Sequence, residues 1–160
     1  MKILITPTSF LKPVNARAKE MIEAFADEVI YNPETRPLTA EEVAALLPGV
    51  DGYIAGLDTI SAEALANAPA SLKVISRYGA GVDRVDLAAA RARGIAVTNT
   101  PGTNATAVCE LAFGLMLSLA RHIPQLDAAV KSGGWPRTSG MELAGRTLGI
   151  VGCGAIGKKL

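Results

Sequence analysis

The chain has 160 residues, 49% of them apolar and 19% charged, which suits a packed core and argues against disorder. Sixteen Lys/Arg against fifteen Asp/Glu leave a formal charge of +1, and only 4% of residues are aromatic. That balance gives no general electrostatic case for nucleic acid or anionic membrane as partner, and no stacking surface for single strands. Two cysteines, Cys109 and Cys153, and a lone histidine, His122, exclude a Cys/His zinc site and argue against a disulfide scaffold. No metal is expected, and a reducing cytoplasm fits best.

The first apolar run, 2–6, reads as a strand and is too short for a signal-peptide core. The longest strongly apolar run, 111–120, is about half of the roughly 20 residues a membrane-spanning helix needs. A helix is expected across 14–26 and a second strand at 28–31. Thr39 and Glu42 stand at capping-box spacing, so a helix runs from there to 47, where Pro48-Gly49 ends it. A third strand follows at 52–55, then a helix through 68 capped by Ser61. A fourth strand is read at 72–76, a helix at 87–93 capped by Asp86 and stopped by Gly94, and a fifth strand at 95–98. Short apolar strands alternating with helices imply a parallel sheet covered on both faces, and residues 1–98 look like a complete unit of that kind.

Residues 99–103 form a turn-rich connector. The helix expected over 104–121 is apolar nearly all round, with Glu110 its only charge before Arg121, so it should be buried between domains or subunits. Gly133-Gly134-Trp135-Pro136 breaks the pattern. Residues 146–151 then read as a strand opening a new βα unit. Such a strand needs parallel neighbours that 1–160 do not supply, so residues beyond 160 or another chain are expected to provide them.

Two stretches carry chemistry. Gly152-Cys153-Gly154-Ala155-Ile156-Gly157 is a GxGxxG between a predicted strand and a predicted helix. Gly152 would permit the tight turn, Gly154 the backbone's approach to a pyrophosphate, and Gly157 close helix–strand packing. The alternative is a glycine-rich turn without a ligand. The second stretch, 76–86, reads Ser-Arg-Tyr-Gly-Ala-Gly-Val-Asp-Arg-Val-Asp and leaves the C-terminal end of the fourth strand. Gly79 and Gly81 around Ala80 could expose amides to a carboxylate. Equally, the glycines could only turn the chain while Asp83 and Asp86 cap a helix.

Taken together, these stretches resemble the D-isomer-specific 2-hydroxyacid dehydrogenases, nearest the phosphoglycerate dehydrogenase branch. The likeness also rests on Val97-Thr-Asn-Thr-Pro-Gly-Thr-Asn104 with Ala107-Val-Cys-Glu-Leu111, on Ala120-Arg-His-Ile-Pro124 with Gly134-Trp135, and on Gly145–Val151 before the glycine motif. It implies a flavodoxin-like substrate domain at 1–98, and at 99–160 a crossover helix with the start of a Rossmann NAD-binding domain, the whole being the N-terminal half of such an enzyme. A cleft between the two domains, a cytoplasmic homodimer formed through the crossover helix, and hydride transfer between NAD or NADP and C2 of a small 2-hydroxy or 2-keto acid are implied with it. The family likeness places the substrate carboxylate on the amides of Ala80 and Gly81, and the cofactor on Ala80, Thr106, Gly152, Gly154, Ala155, Ile156 and Gly157. It places the catalytic Arg, Glu and His beyond residue 160, so no catalytic residue is expected in the chain and the chain alone should be inactive. His122 is expected to be a surface or helix-capping residue. A non-enzymatic dinucleotide-binding relative, working as an association switch like a corepressor, and a free-standing flavodoxin-like domain are the alternatives.

Three departures stand out. Where many members of the family place Arg after the third strand, this chain has Ala55-Gly56, which argues against a substrate with a charged tail such as phosphoglycerate. The crossover helix carries Ala107 in place of the usual Ser, and Cys109 in place of Ala. Cys153, at a presumed helix N-terminus, is a candidate reactive thiol.

Overall fold

The computed structural model describes residues 1–160. They fall into two compact units, Met1–Pro101 and Gly102–Leu160.

Unit 1 is a five-stranded, wholly parallel sheet of β1 (Lys2–Ile5), β2 (Glu28–Tyr31), β3 (Gly52–Ala55), β4 (Val74–Arg77) and β5 (Ala96–Thr98), in the order β2-β1-β3-β4-β5. This is the flavodoxin-like order, and each return passes through a helix or helical turn. The register pairs Ile5 with Ile54, Ile54 with Ser76 and Ser76 with Thr98, so the sheet's C-terminal edge is formed by the residues just after these.

The helices form where capping groups allow them. α1 (Ala16–Phe25) follows a 3₁₀ turn at Pro13–Asn15. α2 (Ala40–Leu46) begins with a complete capping box: the Thr39 hydroxyl accepts from Glu42 N, and the Glu42 carboxylate accepts from Thr39 N at 2.8 Å. α3 (Ala62–Ala66) is capped by Ser61 and α4 (Leu87–Ala92) by Asp86, which accepts from Ala89 N at 2.9 Å. Gly94 takes φ +69 just past α4, as a left-handed C-terminal stop does. The main core, under α2, α3 and α4, gathers Leu4, Val43, Leu47, Tyr53, Leu65, Leu72 and Ile75. A smaller cluster of Ile3, Ile5 and Phe10 lies on the other face beneath Ile22 of α1.

β4 starts later than the apolar run suggested. Leu72 N donates to Pro69 O, so Leu72 enters the core from a turn and the ladder begins at Val74.

Unit 2 holds α5 (Ala105–Ala120) and α6 (Ile123–Lys131), joined through His122, whose φ of 54 breaks the helix axis. Two sequence expectations fail here. Residues 146–151 form no strand: unit 2 contains no other strand, and an unpaired one leaves every N–H and C=O unsatisfied. The glycine motif leads into turns rather than a helix, with only single helical turns such as Lys158 N to Gly154 O. The apolar helix α5 is largely exposed within this chain. Only Ala105 and Ala120 are buried, while Leu111, Phe113 and Leu115 are more than half exposed and Leu119 is 75% exposed, so its apolar face is open within the chain. No single helix is long and apolar enough to cross a membrane.

Candidate ligand sites

In the order β2-β1-β3 the chain leaves β1 to one side and returns as β3 on the other, making a switch point at the C-terminal ends of these strands. Parallel sheets bind ligands in such crevices. A cavity of about 240 Å³ lies here, walled by residues 6–9 after β1, by Pro37, by Gly56 and Leu57 after β3, and by Arg77 and Tyr78 at the end of β4.

Arg77 is the cation of this cavity. It is only 9% exposed, yet forms no ion pair. One guanidinium nitrogen, Nη1, donates to the Tyr78 carbonyl. Burying a cation without an acid beside it is costly, so a buried, unpaired guanidinium at a cavity wall is suited to an incoming anion.

The loop after β4 is held at several points of its backbone. Gly79 N donates to Arg77 O at 2.8 Å, closing a tight turn. The Gly79 carbonyl accepts from Thr100 N at 3.0 Å and the Ala80 carbonyl from Asn99 Nδ2 at 2.6 Å, so the exit of β5 pins both. The amides of Ala80 and Gly81 donate to no backbone carbonyl. Ala80 is half-buried and Gly81 exposed. The Asp83 carboxylate sits close to Gly81: a Cβ there would lie 2.9 Å from Oδ2. Asp86 caps α4, and so plays the structural part that the residues allowed for.

Behind the cavity lies a polar knot that the sequence did not disclose. The fully buried Asp58 accepts from Leu38 N at 2.8 Å, Tyr53 OH at 3.0 Å and Gly56 N at 2.9 Å, and from the Thr6 hydroxyl. Gly56 N also reaches Thr6 Oγ1 at 3.0 Å. Burial, and then the Asp58 charge, push the Tyr53 phenol well above its usual range. The signal available in the sequence was an acid two residues past Gly56, directly after the apolar stretch 52–57.

In unit 2 the glycines of the motif have separate reasons. Gly152 adopts φ +97, and a Cβ at Gly157 would stand 2.2 Å from Gly152 O, so the two ends of the motif touch. Around Gly154 nothing lies within 4 Å of a Cβ. That pattern of a turn, an open backbone and a close approach fits a pyrophosphate, although the flanking strand and helix are absent. Cys153, Gly154, Ala155 and Ile156 are exposed. Without a helix N-terminus, the argument for a reactive Cys153 lapses. Thr106 is exposed in the first turn of α5. His122 is half-buried and occupies the N-cap of α6 through its backbone, with no side-chain capping bond. A larger cavity, about 820 Å³, lies between α5 and residues 139–148; its lining is mainly apolar (Phe113, Met116, Leu119, Leu143 and Leu148 among it), with His122, Ser139, Arg146 and Thr147 as its polar members. No three His, Cys, Asp or Glu side chains come together as metal ligands.

Residues 8–153 match the family model for the catalytic domain of D-isomer specific 2-hydroxyacid dehydrogenases. The chain belongs to this family. It is 38% identical over 142 residues to a hydroxypyruvate reductase of Thermotoga maritima, covering 84% of this chain and 46% of that protein. It is 43% identical over 129 residues to the D-3-phosphoglycerate dehydrogenase of Homo sapiens, covering 79% of this chain and 24% of that one. A crystal structure of NAD⁺-bound 3-phosphoglycerate dehydrogenase from Entamoeba histolytica superposes with a TM-score of 0.74 at 31% identity, over 99% of this chain and 48% of that one. The chain thus spans about half the length of these dehydrogenases or less. All four sequence stretches singled out above lie at least partly within the matched region.

Proposed function

We propose that this chain carries the acid-binding loop and the dinucleotide-binding glycine motif of an NAD(P)-dependent D-2-hydroxyacid dehydrogenase. The observation that carries the reading is the buried, unpaired Arg77 at the sheet's C-terminal edge, next to a loop whose Ala80 and Gly81 amides have no backbone acceptor. A carboxylate takes up both: the amides point hydrogen-bond donors at it and the guanidinium neutralises it. The substrate class is a small 2-keto or 2-hydroxy acid. With Ala55-Gly56 standing where many members of the family carry Arg, the cation that would hold a second charged group is missing there, so phosphoglycerate is not the expected substrate. Arg77 and the loop bind and orient; they do not move protons.

The cofactor would be held by Gly152, Gly154, Ala155, Ile156 and Gly157, with Thr106 and Ala80 as further contacts. When bound, the nicotinamide supplies or accepts hydride. The cavity beside Arg77 offers no acid suited to protonating a reduced carbonyl near neutral pH; its lining holds hydroxyls, prolines and the Tyr78 phenol. On this reading the chain binds its ligands but does not turn them over. We assign residues 1–98 to the substrate domain and 99–160 to the crossover helix and cofactor domain. The exposed apolar face of α5 supports a homodimer formed through that helix, and two free thiols support a cytoplasmic location.

The test is a titration of the ¹⁵N-labelled chain with pyruvate. Saturable shifts of the Ala80 and Gly81 amides, lost in Arg77→Gln, support the reading. Shifts that are absent, or that survive in Arg77→Gln, contradict it.

A further inference from the structure

The walls of the cavity come from separate segments of chain, and three of them are tied to one carboxylate that does not itself line the cavity. Asp58 collects Thr6 from the end of β1, Gly56 from the exit of β3, and Leu38, next to Pro37, from the segment before α2. Tyr53 closes the set from within β3. The remaining wall is joined to the same turn, because Tyr78 N donates to Ala55 O at 2.9 Å.

All four partners of Asp58 are donors, and a carboxylate alone among side chains accepts on both arms. An amide in its place would aim an NH₂ group at one of them. In a dry interior such bonds fix distance and direction more sharply than apolar packing does.

The effect is concentrated at Gly56. A Cβ there would lie 2.9 Å from Pro7 Cα and 3.1 Å from Pro7 N, both backbone atoms. The exits of β1 and β3 are therefore held in contact, and Gly56 N is the group that Asp58 and Thr6 share.

We propose that Asp58 is a positioning residue for the keto-acid site, setting the separation of the β1 and β3 walls through Thr6, Tyr53, Gly56 and Leu38. This rests on the functional reading above. Asp58 touches no substrate. It fixes the space beside Arg77 in which a small acid lies.

The experiment compares pyruvate titrations of the ¹⁵N-labelled wild-type chain, Tyr53→Phe, Asp58→Asn and the core control Val43→Ala, each well below its melting temperature. Val43→Ala lowers stability and keeps wild-type affinity. Tyr53→Phe keeps the ring and the fold, moves the Gly56 and Leu57 amides, and weakens pyruvate binding about fivefold, the worth of one ordinary hydrogen bond. Asp58→Asn, if it folds, weakens it further. Tyr53→Phe that folds and binds pyruvate as wild type does would overturn the proposal while leaving the functional reading in place. A wild-type chain that does not bind pyruvate overturns both.

Discussion

The guanidinium of Arg77 lies against the α-carbon of Gly79: a methyl group there would stand 2.9 Å from Nη1 and 3.2 Å from Cζ. Gly79 also adopts φ +147, a region that side chains avoid. Position 79 is thus glycine for two reasons, one conformational and one steric. Gly79→Ala should cost about 1–3 kcal/mol of stability. Arg77→Ala in the same chain should recover part of that, because it removes the clash and leaves the backbone strain. A double-mutant cycle by urea denaturation measures the coupling, and strict additivity would show that the contact is slack.

The pair Arg36–Glu42 gives a pH dependence with a definite sign. Arg36 meets Glu42 with two hydrogen bonds, at 2.8 and 2.6 Å, and Thr39 N adds a third. Arg36 first, and then the Thr39 amide, lower the Glu42 carboxyl from 4.5 to about 2. A carboxyl whose folded value is depressed stabilises above its unfolded value and loses that contribution as pH falls through the folded one. Stability should therefore decline between pH 4.5 and about 2, and Glu42→Gln, which keeps the capping geometry, should flatten that part of the curve. Thermal melts across this window decide it. Thr39→Ala should cost about 1 kcal/mol at neutral pH.

The glycine motif separates structure from binding. Gly154→Val should leave the melting temperature unchanged, since nothing lies within 4 Å of its Cβ, and should weaken NADH binding as followed by its fluorescence. Gly157→Ala should disturb the turn itself, its Cβ falling 2.2 Å from Gly152 O. Equal NADH affinity in wild type and Gly154→Val would reduce the motif to a turn.

Most of unit 1 was legible in the sequence because its signals are local. Thr39, Ser61 and Asp86 announce their helices by capping, and Gly94 stops α4 by its left-handed backbone. The strands sit where short apolar runs lie between them, and the family likeness led to the loop at 79–81. What escaped depends on long-range placement. Asp58 reads as a loop residue until the fold brings Thr6, Leu38 and Tyr53 around it, from 52, 20 and 5 positions away. Arg77 was part of a motif, but its burial without an acid is visible only in three dimensions. In unit 2 the errors have one cause. The run at 146–151 has the composition of a strand, but a strand requires a ladder partner and none is present within residues 102–160, and the glycine motif that should follow that strand forms turns.

His122 offers a further check. The chain has one histidine, and it serves α6 through its backbone at φ 54. The chain should not oxidise NADH above background with glyoxylate, pyruvate or hydroxypyruvate. Clear turnover, abolished by His122→Ala, would mean that His122 is the proton donor and that its placement here is misread.

On the proposed function, a small acid binds at the switch point of the sheet, its carboxylate on the amides of Ala80 and Gly81 beside Arg77. A crystal structure of the chain grown with oxamate, an unreactive analogue of a 2-keto acid, tests it most directly. Oxamate density is expected within hydrogen-bonding distance of those two amides and of the Arg77 guanidinium, with Gly56 and Leu57 forming the facing wall. Oxamate bound at residues 152–157 or elsewhere, with the Arg77 cavity holding only solvent, would contradict it.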